Sequence, residues 1–207
     1  VKTLDPNNLD WSKGGGLLPA VVQDVGTAQV LMLGYMNVEA LTHTQSSGLV
    51  TFYSRSKQRL WTKGERSGHV LELVSLHEDC DHDTILVLAQ PRGPTCHTGT
   101  RTCFGEFPGP PLSFLGRLEA LIEERYLQRP AGSYTTTLFE RGVLKMAQKV
   151  GEEGVETALA GAAQDDVALS GEAADLLFHL LVLLRGRGLG LQPVLDALIA
   201  RHGAAQR

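Results

Sequence analysis

Gly105-Glu106-Phe107-Pro108-Gly109-Pro110-Pro111 supports neither a helix nor an interior strand, because its prolines lack backbone donors and its glycines add freedom. The stretch reads as a linker, and the hydrophobic period differs on its two sides. Upstream, from Trp11 to about Phe104, apolar residues fall in short runs of period two. Residues 20–25 and 29–33 predict paired strands around a turn at Gly26-Thr27. Asn37 is placed to cap a short helix that Gly48 closes. Further strands are predicted over 50–54, 70–76 and 84–89. Downstream, Leu112, Leu115, Leu118 and Ile122 recur at helical spacing after prolines suited to a first turn. Residues 138–163 predict one or two helices, with Gly142, Gly151 and Gly154 as weak points. Asp165 or Asp166 caps the next helix, with a stripe of Leu176, Leu177, Leu180, Leu181 and Leu184. Gly186 to Gly190 breaks it before a last helix through Val194, Leu195, Leu198 and Ile199. A β half followed by an α half predicts two domains: a mainly β (α+β) metal-binding domain over 1–104, a linker over 105–111, and an all-α bundle over 112–207.

The 207 residues are enough to bury a core in each half. A net charge of −4 carries no electrostatic footprint for nucleic acid. No basic, apolar leader opens the sequence, and its apolar runs read as too short to span a bilayer. Three cysteines do not close a disulfide framework, so reduced thiols binding metal in a cytoplasmic protein are expected.

Asp79-Cys80-Asp81-His82-Asp83 concentrates three carboxylates, a thiol and an imidazole. If this stretch is extended, Asp79, Asp81 and Asp83 share one face, and Cys80 and His82 the other. Alternating carboxylates suit Mg²⁺, which relieves their mutual repulsion; the alternative is an acidic, solvated turn. Thiolates of Cys80, Cys96 and Cys103 suit Zn²⁺, and the two faces favour two ions over one. Three thiolates leave a fourth position, open to water in a catalytic site or closed by His97, His82 or His77 in a structural one. Residues 54–69 gather Arg55, Lys57, Arg59, Lys63 and Arg66 with hydroxyls and glycines, material for holding phosphate oxygens or simply an exposed basic hairpin.

Gly34-Tyr35-Met36-Asn37, Leu60-Trp61-Thr62-Lys63-Gly64-Glu65, the acidic block and Gly93-Pro94-Thr95-Cys96-His97 together resemble phosphoribosyl-AMP cyclohydrolase of histidine biosynthesis. Arg66 departs from the small residue expected at its position. The resemblance implies hydrolytic opening of the adenine ring at N1–C6, and a homodimer whose zinc site draws ligands from both subunits. It implies Zn²⁺ on Cys80, Cys96 and Cys103, and Mg²⁺ on Asp79, Asp81 and Asp83. Arg55, Lys57, Arg59, Trp61 and Lys63 are the expected substrate-binding set. His97, and after it His69, are the proton-transfer candidates, being near a ligand and titratable near neutrality.

In the second half, Glu152 and Glu156, Glu153 and Glu156, and Glu172 and Asp175 stand at helical spacings that share a face. Facing carboxylates on two helices can hold Mg²⁺ against a pyrophosphate. Lys149 is suited to bind phosphate or to pair with an acid. The bland reading is a salt-bridged surface, yet Glu172 and Asp175 border a strongly apolar run. Ser133-Tyr134-Thr135, Lys149-Val150-Gly151-Glu152-Glu153-Gly154-Val155-Glu156, Glu172-Ala173-Ala174-Asp175-Leu176 and the run from His179 resemble phosphoribosyl-ATP pyrophosphohydrolase, of the all-α MazG-like nucleotide pyrophosphohydrolases. That resemblance implies Mg²⁺ on Glu152, Glu153, Glu156, Glu172 and Asp175, with the three glutamates of the first helix as catalytic residues. The two resemblances imply a bifunctional enzyme whose partners are phosphoribosyl-adenine nucleotides, with no nucleic acid or membrane. Two rivals are a general nucleotide hydrolase behind a structural zinc domain, and a non-enzymatic zinc-stapled binding module.

Overall fold

The computed structural model describes residues 3–105 and 109–202. Part of the expected linker, residues 106–108, lies outside the described residues. The chain divides into two compact units between Gly116 and Arg117, a mainly β unit and an all-α unit in the order expected.

The first unit is built on a four-stranded sheet of order β2-β1-β6-β5, from β1 (Leu18–Asp24), β2 (Val30–Met36), β5 (Leu71–Glu78) and β6 (Ile85–Pro91). Strands β3 (Thr51–Ser54) and β4 (Arg59–Thr62) form a separate hairpin. The predicted pairing of β1 with β2 is present and antiparallel. At the sheet centre β1 instead runs parallel to β6, with Ala20 opposite Ile85 and Val22 opposite Val87. Parallel neighbours need a long crossover, and here it contains β2, α1 (Val38–Ser47), the β3–β4 hairpin and β5. Alternation along β1 buries Leu18, Ala20 and Val22, which meet Ile85, Val87, Leu71 and Leu76 in one core. Asn37 caps α1 by accepting from the Ala40 amide, and Gly48 ends it in the left-handed conformation (φ +72°), both as predicted. Gly34 has a steric reason: any Cβ there would strike the Phe52 ring.

The second unit consists of helices α2 (Ser113–Gln128), α3 (Tyr134–Glu140), α4 (Gly142–Ala163), α5 (Asp166–Gly186) and α6 (Gln192–His202), with α2 spanning the division. Of the three suspect glycines, only Gly142 coincides with a break. Gly151 and Gly154 lie inside an unbroken α4, because one glycine costs only about 1 kcal/mol in a helix held by tertiary packing. Asp165 caps α5 through the Ala168 amide. The buried stripe of α5 is a correction to the expected leucine row. His179, Leu181 and Val182 are buried, whereas Leu177 is exposed; Leu181 and Val182 pack with Ile122, Phe139 and Met146, and His179 meets the Tyr134 hydroxyl. By length and composition α5 is apolar enough to cross a membrane, which the broken apolar runs did not indicate. It also carries Glu172 and Asp175, and the core helix of a globular protein meets the same length and composition.

Candidate functional site

Residues 79–83 are the turn of the β5–β6 hairpin and not an extended segment. His82 has φ +59°, a left-handed conformation that breaks strict alternation. The carboxylates nevertheless converge, with oxygens of Asp79, Asp81 and Asp83 all within 4.8 Å of one another. Convergence comes from the turn: the Asp83 and Thr84 amides donate to Asp79 Oδ1 at 3.0 and 3.1 Å and draw its side chain inward. Desolvation pushes the Asp79 carboxyl up, but those amides outweigh it and leave it below its ordinary range. A cation already offsets part of the trio's charge. Lys13 Nζ lies 2.7 Å from Asp81 and 3.2 Å from Asp83, and the hydrogen bonds to both hold the ammonium well above its usual range. Cys80 is exposed on the same turn, and His82 turns to Glu78 at 3.2 Å.

Cys96 and Cys103 belong to a loop after β6 that folds back on itself. The Cys96 amide donates to Thr100 O, and the Cys103 amide donates to Leu31 O on β2 at 2.8 Å. The Thr98 hydroxyl donates to Cys96 Sγ at 3.1 Å. That bond, with the Thr98 amide and the Thr100 hydroxyl, lowers the thiol to about 6. Cys103 is pushed up by burial and by the neighbouring Cys96 charge. Both cysteines line a cleft of about 430 Å³ with Trp61, Lys63, His69, Thr95 and His97. Among the described residues, Cys80 does not join Cys96 and Cys103 in a three-ligand cluster.

A second cleft of about 430 Å³ shares Trp61, Ser67 and His97 with the first and adds Ser54, Lys57, Arg59 and Arg66. The basic stretch is therefore a hairpin and a cleft wall at once, so its two sequence readings do not exclude each other. Arg59 is bound to Glu65 at 2.6 Å. Arg55 is the exception, lying 4.1 Å over the Tyr35 ring and outside both clefts. His77, a suggested fourth zinc ligand, bonds Ser75 on β5 at 3.1 Å and lines neither cleft.

In the helical unit, carboxylate oxygens of Glu153 and Glu156 on α4 and Glu172 on α5 lie within 4.8 Å of one another. Glu153 is buried, and Lys149 Nζ reaches it at 2.6 Å and Glu152 at 2.9 Å. Burial, then the charges of Glu153 and Glu172, push the Glu156 carboxyl up. Glu152 and Asp175 stand outside this three-residue group, Glu152 bonding Gln148 at 2.6 Å. The residue that sequence reasoning missed is His179, buried one turn beyond Asp175. Its Nδ1 lies 2.9 Å from the Asp175 carbonyl, an acceptor only, so Nδ1 carries a proton, and Nε2 is hydrogen-bonded to the Tyr134 hydroxyl at 3.0 Å. Nδ1 is also 3.7 Å from Glu153 Oε1. The signal was available, since Glu172, Asp175 and His179 recur at three and four along one helix face.

Comparison with known proteins agrees with both halves. The family model described as phosphoribosyl-AMP cyclohydrolase matches residues 32–105, and that described as phosphoribosyl-ATP pyrophosphohydrolase matches residues 115–202. Among curated relatives, the histidine biosynthesis bifunctional protein HisIE of Xylella fastidiosa (strain Temecula1) is 66% identical over 94% of this chain and 93% of its own length. Its counterpart in Xanthomonas axonopodis pv. citri is 63% identical over 98% and 97%. That of Escherichia coli (strain K12) is 56% identical over 94% and 95%. This chain belongs to the bifunctional HisIE family of histidine biosynthesis enzymes, a phosphoribosyl-AMP cyclohydrolase followed by a phosphoribosyl-ATP pyrophosphohydrolase.

Proposed function

We propose that the helical domain, residues 112–207, acts first and hydrolyses phosphoribosyl-ATP to phosphoribosyl-AMP and pyrophosphate. The first domain, residues 1–104, then opens the adenine ring at N1–C6 by adding water. The carrying observation is the pair of adjoining clefts that share Trp61 and His97, one lined by thiols and the other by cations. A phosphorylated purine fits that arrangement, with its phosphate among Lys57, Arg59 and Arg66 and its base near Cys96 and Cys103.

The donors fit the two metals. Cys96, with its thiol near 6, is substantially thiolate at neutral pH, and Cys103 lies beside it, as Zn²⁺ requires. Cys80 completes the set from a second copy of the chain, a reading supported by its separation from the other two cysteines. Zinc bound there would lower the pKa of a water to roughly 7 and so supply the nucleophile. His97, on the wall common to both clefts, and His69 are the candidates to move its proton. Lys63 and Trp61 line the same cleft and bound the purine. The aspartate turn fits Mg²⁺, because a lysine ammonium already stands in for a cation there.

In the helical domain Glu153, Glu156 and Glu172 form the core of a Mg²⁺ site that Glu152 and Asp175 extend, with Lys149 at hand for phosphate. Magnesium there would neutralise pyrophosphate charge. Three free cysteines support work in the reducing cytoplasm.

The test supplies phosphoribosyl-ATP and follows pyrophosphate release and the ultraviolet change of ring opening together. Cys103→Ser is expected to lose ring opening and keep pyrophosphate release. Glu153→Gln is expected to lose both from phosphoribosyl-ATP but to open supplied phosphoribosyl-AMP normally. Loss of both activities in Cys103→Ser would refute the division of labour.

A further inference from the structure

The loop that carries Cys96 and Cys103 is tied to the sheet by an ion pair between a buried carboxylate and an exposed guanidinium. Asp24, at the end of β1, is 1% exposed. Its Oδ1 accepts from the Gly26 amide at 2.9 Å, and its Oδ2 from the Thr27 hydroxyl at 2.8 Å. These bonds serve the β1–β2 turn. The remaining partner comes from 77 residues away: Arg101 Nη2 donates to Asp24 Oδ2 at 2.7 Å. An ionised carboxylate buried so deeply requires a cation, and Arg101 is the ion-pair partner that Asp24 has. The flanks of Arg101 are fixed as well. Its carbonyl accepts from the Thr95 amide at 3.3 Å, and the adjoining Thr102 hydroxyl donates to Val30 O at 2.9 Å. Arg101 thus stands at the point where the loop closes on itself, between the two thiols and opposite a charge that does not move.

We propose that Arg101 and Asp24 are positioning residues of the zinc centre, setting the separation and direction of the Cys96 and Cys103 thiols by clamping their loop to the β1–β2 turn. The proposal rests on reading Cys96 and Cys103 as zinc ligands. Partners one step beyond metal ligands typically change metal affinity by about 10- to 100-fold when removed. The Cys103 amide and the Thr102 hydroxyl, both donating to β2 carbonyls, hold one end of the loop, so the loss is expected to fall on Cys96.

The experiment uses the full chain and zinc alone, with affinity read by competition against a chelator and geometry read from the thiolate bands of the cobalt-substituted protein. Arg101→Met is expected to weaken zinc about 10- to 100-fold and to alter the cobalt spectrum. Arg101→Lys, which keeps a cation over Asp24, is expected to bind within a few-fold of the parent. Because Arg101→Met strands a buried charge and lowers stability, the double variant Asp24→Asn with Arg101→Met removes both charges. It is expected to regain thermal stability without regaining zinc affinity. Unchanged affinity in Arg101→Met, parental affinity in the double variant, or a loss in Arg101→Lys as large as in Arg101→Met would each overturn the clamp. A parent chain that binds no zinc would instead refute the ligand reading on which the proposal rests.

Discussion

At Cys96 and Lys13, the contacts of a single side chain set its charge. The Cys96 thiol is lowered to about 6 by neutral hydroxyls and an amide rather than by a full positive charge. In metal-free protein, alkylation of Cys96 is expected to rise with pH around a midpoint near 6. Thr98→Val, which deletes the principal donor, should move that midpoint up. The stability consequence follows in sign. A thiol at about 6 in the fold and near 9 unfolded contributes fully above pH 9 and loses its contribution as pH falls through 6. Lys13 is a resident competitor for the aspartate turn. Lys13→Met is therefore expected to bind Mn²⁺ a few-fold more tightly by calorimetry at fixed ionic strength, an effect reduced by salt because the pair is partly exposed. Weaker binding in that variant would make the lysine a supporting group. The three aspartates and Cys80 announce themselves in five residues of sequence. Lys13 lies 68 positions from Asp81 and Arg101 lies 77 from Asp24, and no local pattern couples residues so far apart.

At the scale of elements, close packing and charge concentration set what each piece tolerates. Gly34→Ala places a methyl in the Phe52 ring, and because Phe52 is wholly buried it cannot swing aside. A loss of about 1–3 kcal/mol in chemical denaturation of the first unit is expected, and Phe52→Leu should relieve part of it. In the helical unit, α4 and α5 bring Glu153, Glu156 and Glu172 together at a cost that a divalent cation offsets. Mg²⁺ is expected to raise the melting temperature at pH 7. The gain should fade as pH falls into the carboxylate range. Glu156, whose carboxyl is pushed up from 4.5 by burial and its neighbours, is expected to protonate ahead of an ordinary glutamate. A Mg²⁺ effect that persisted unchanged at pH 4 would point to another site. Helical periodicity made the acid faces of α4 and α5 legible. It did not show that α5 buries His179 in preference to several leucines, because the choice depends on what the facing helices offer. Here α3 offers the Tyr134 hydroxyl, and α5 itself adds the Asp175 carbonyl one turn back.

For the whole molecule, the placement of Cys80 apart from Cys96 and Cys103 governs the expected assembly. If the zinc site is shared across a dimer, Cys80→Ser and Cys103→Ser chains should complement one another when unfolded together and refolded. A mixed dimer would contain one intact site and one lacking both contributions. With random pairing, ring opening should recover to about a quarter of the parent level, while each variant alone stays inactive. No recovery would require all three thiols to meet within one chain.

Local chemistry in the sequence determined the order of a β domain and an α domain, the Asn37 and Gly48 caps, a cap at Asp165 or Asp166, and where side chains of metal-ligating type cluster. Such features depend on neighbours within a turn of helix or a pair of strands, and near neighbours are written in sequence order. The tertiary structure decided that β1 lies parallel to β6, and that residues 79–83 turn rather than extend. It also decided that Lys13 meets the aspartates and that Arg101 meets Asp24. Those pairings depend on closing long loops, whose entropic cost varies only slowly with length. Sequence separation therefore does little to choose between partners, and burial, charge and shape in the assembled core make the selection.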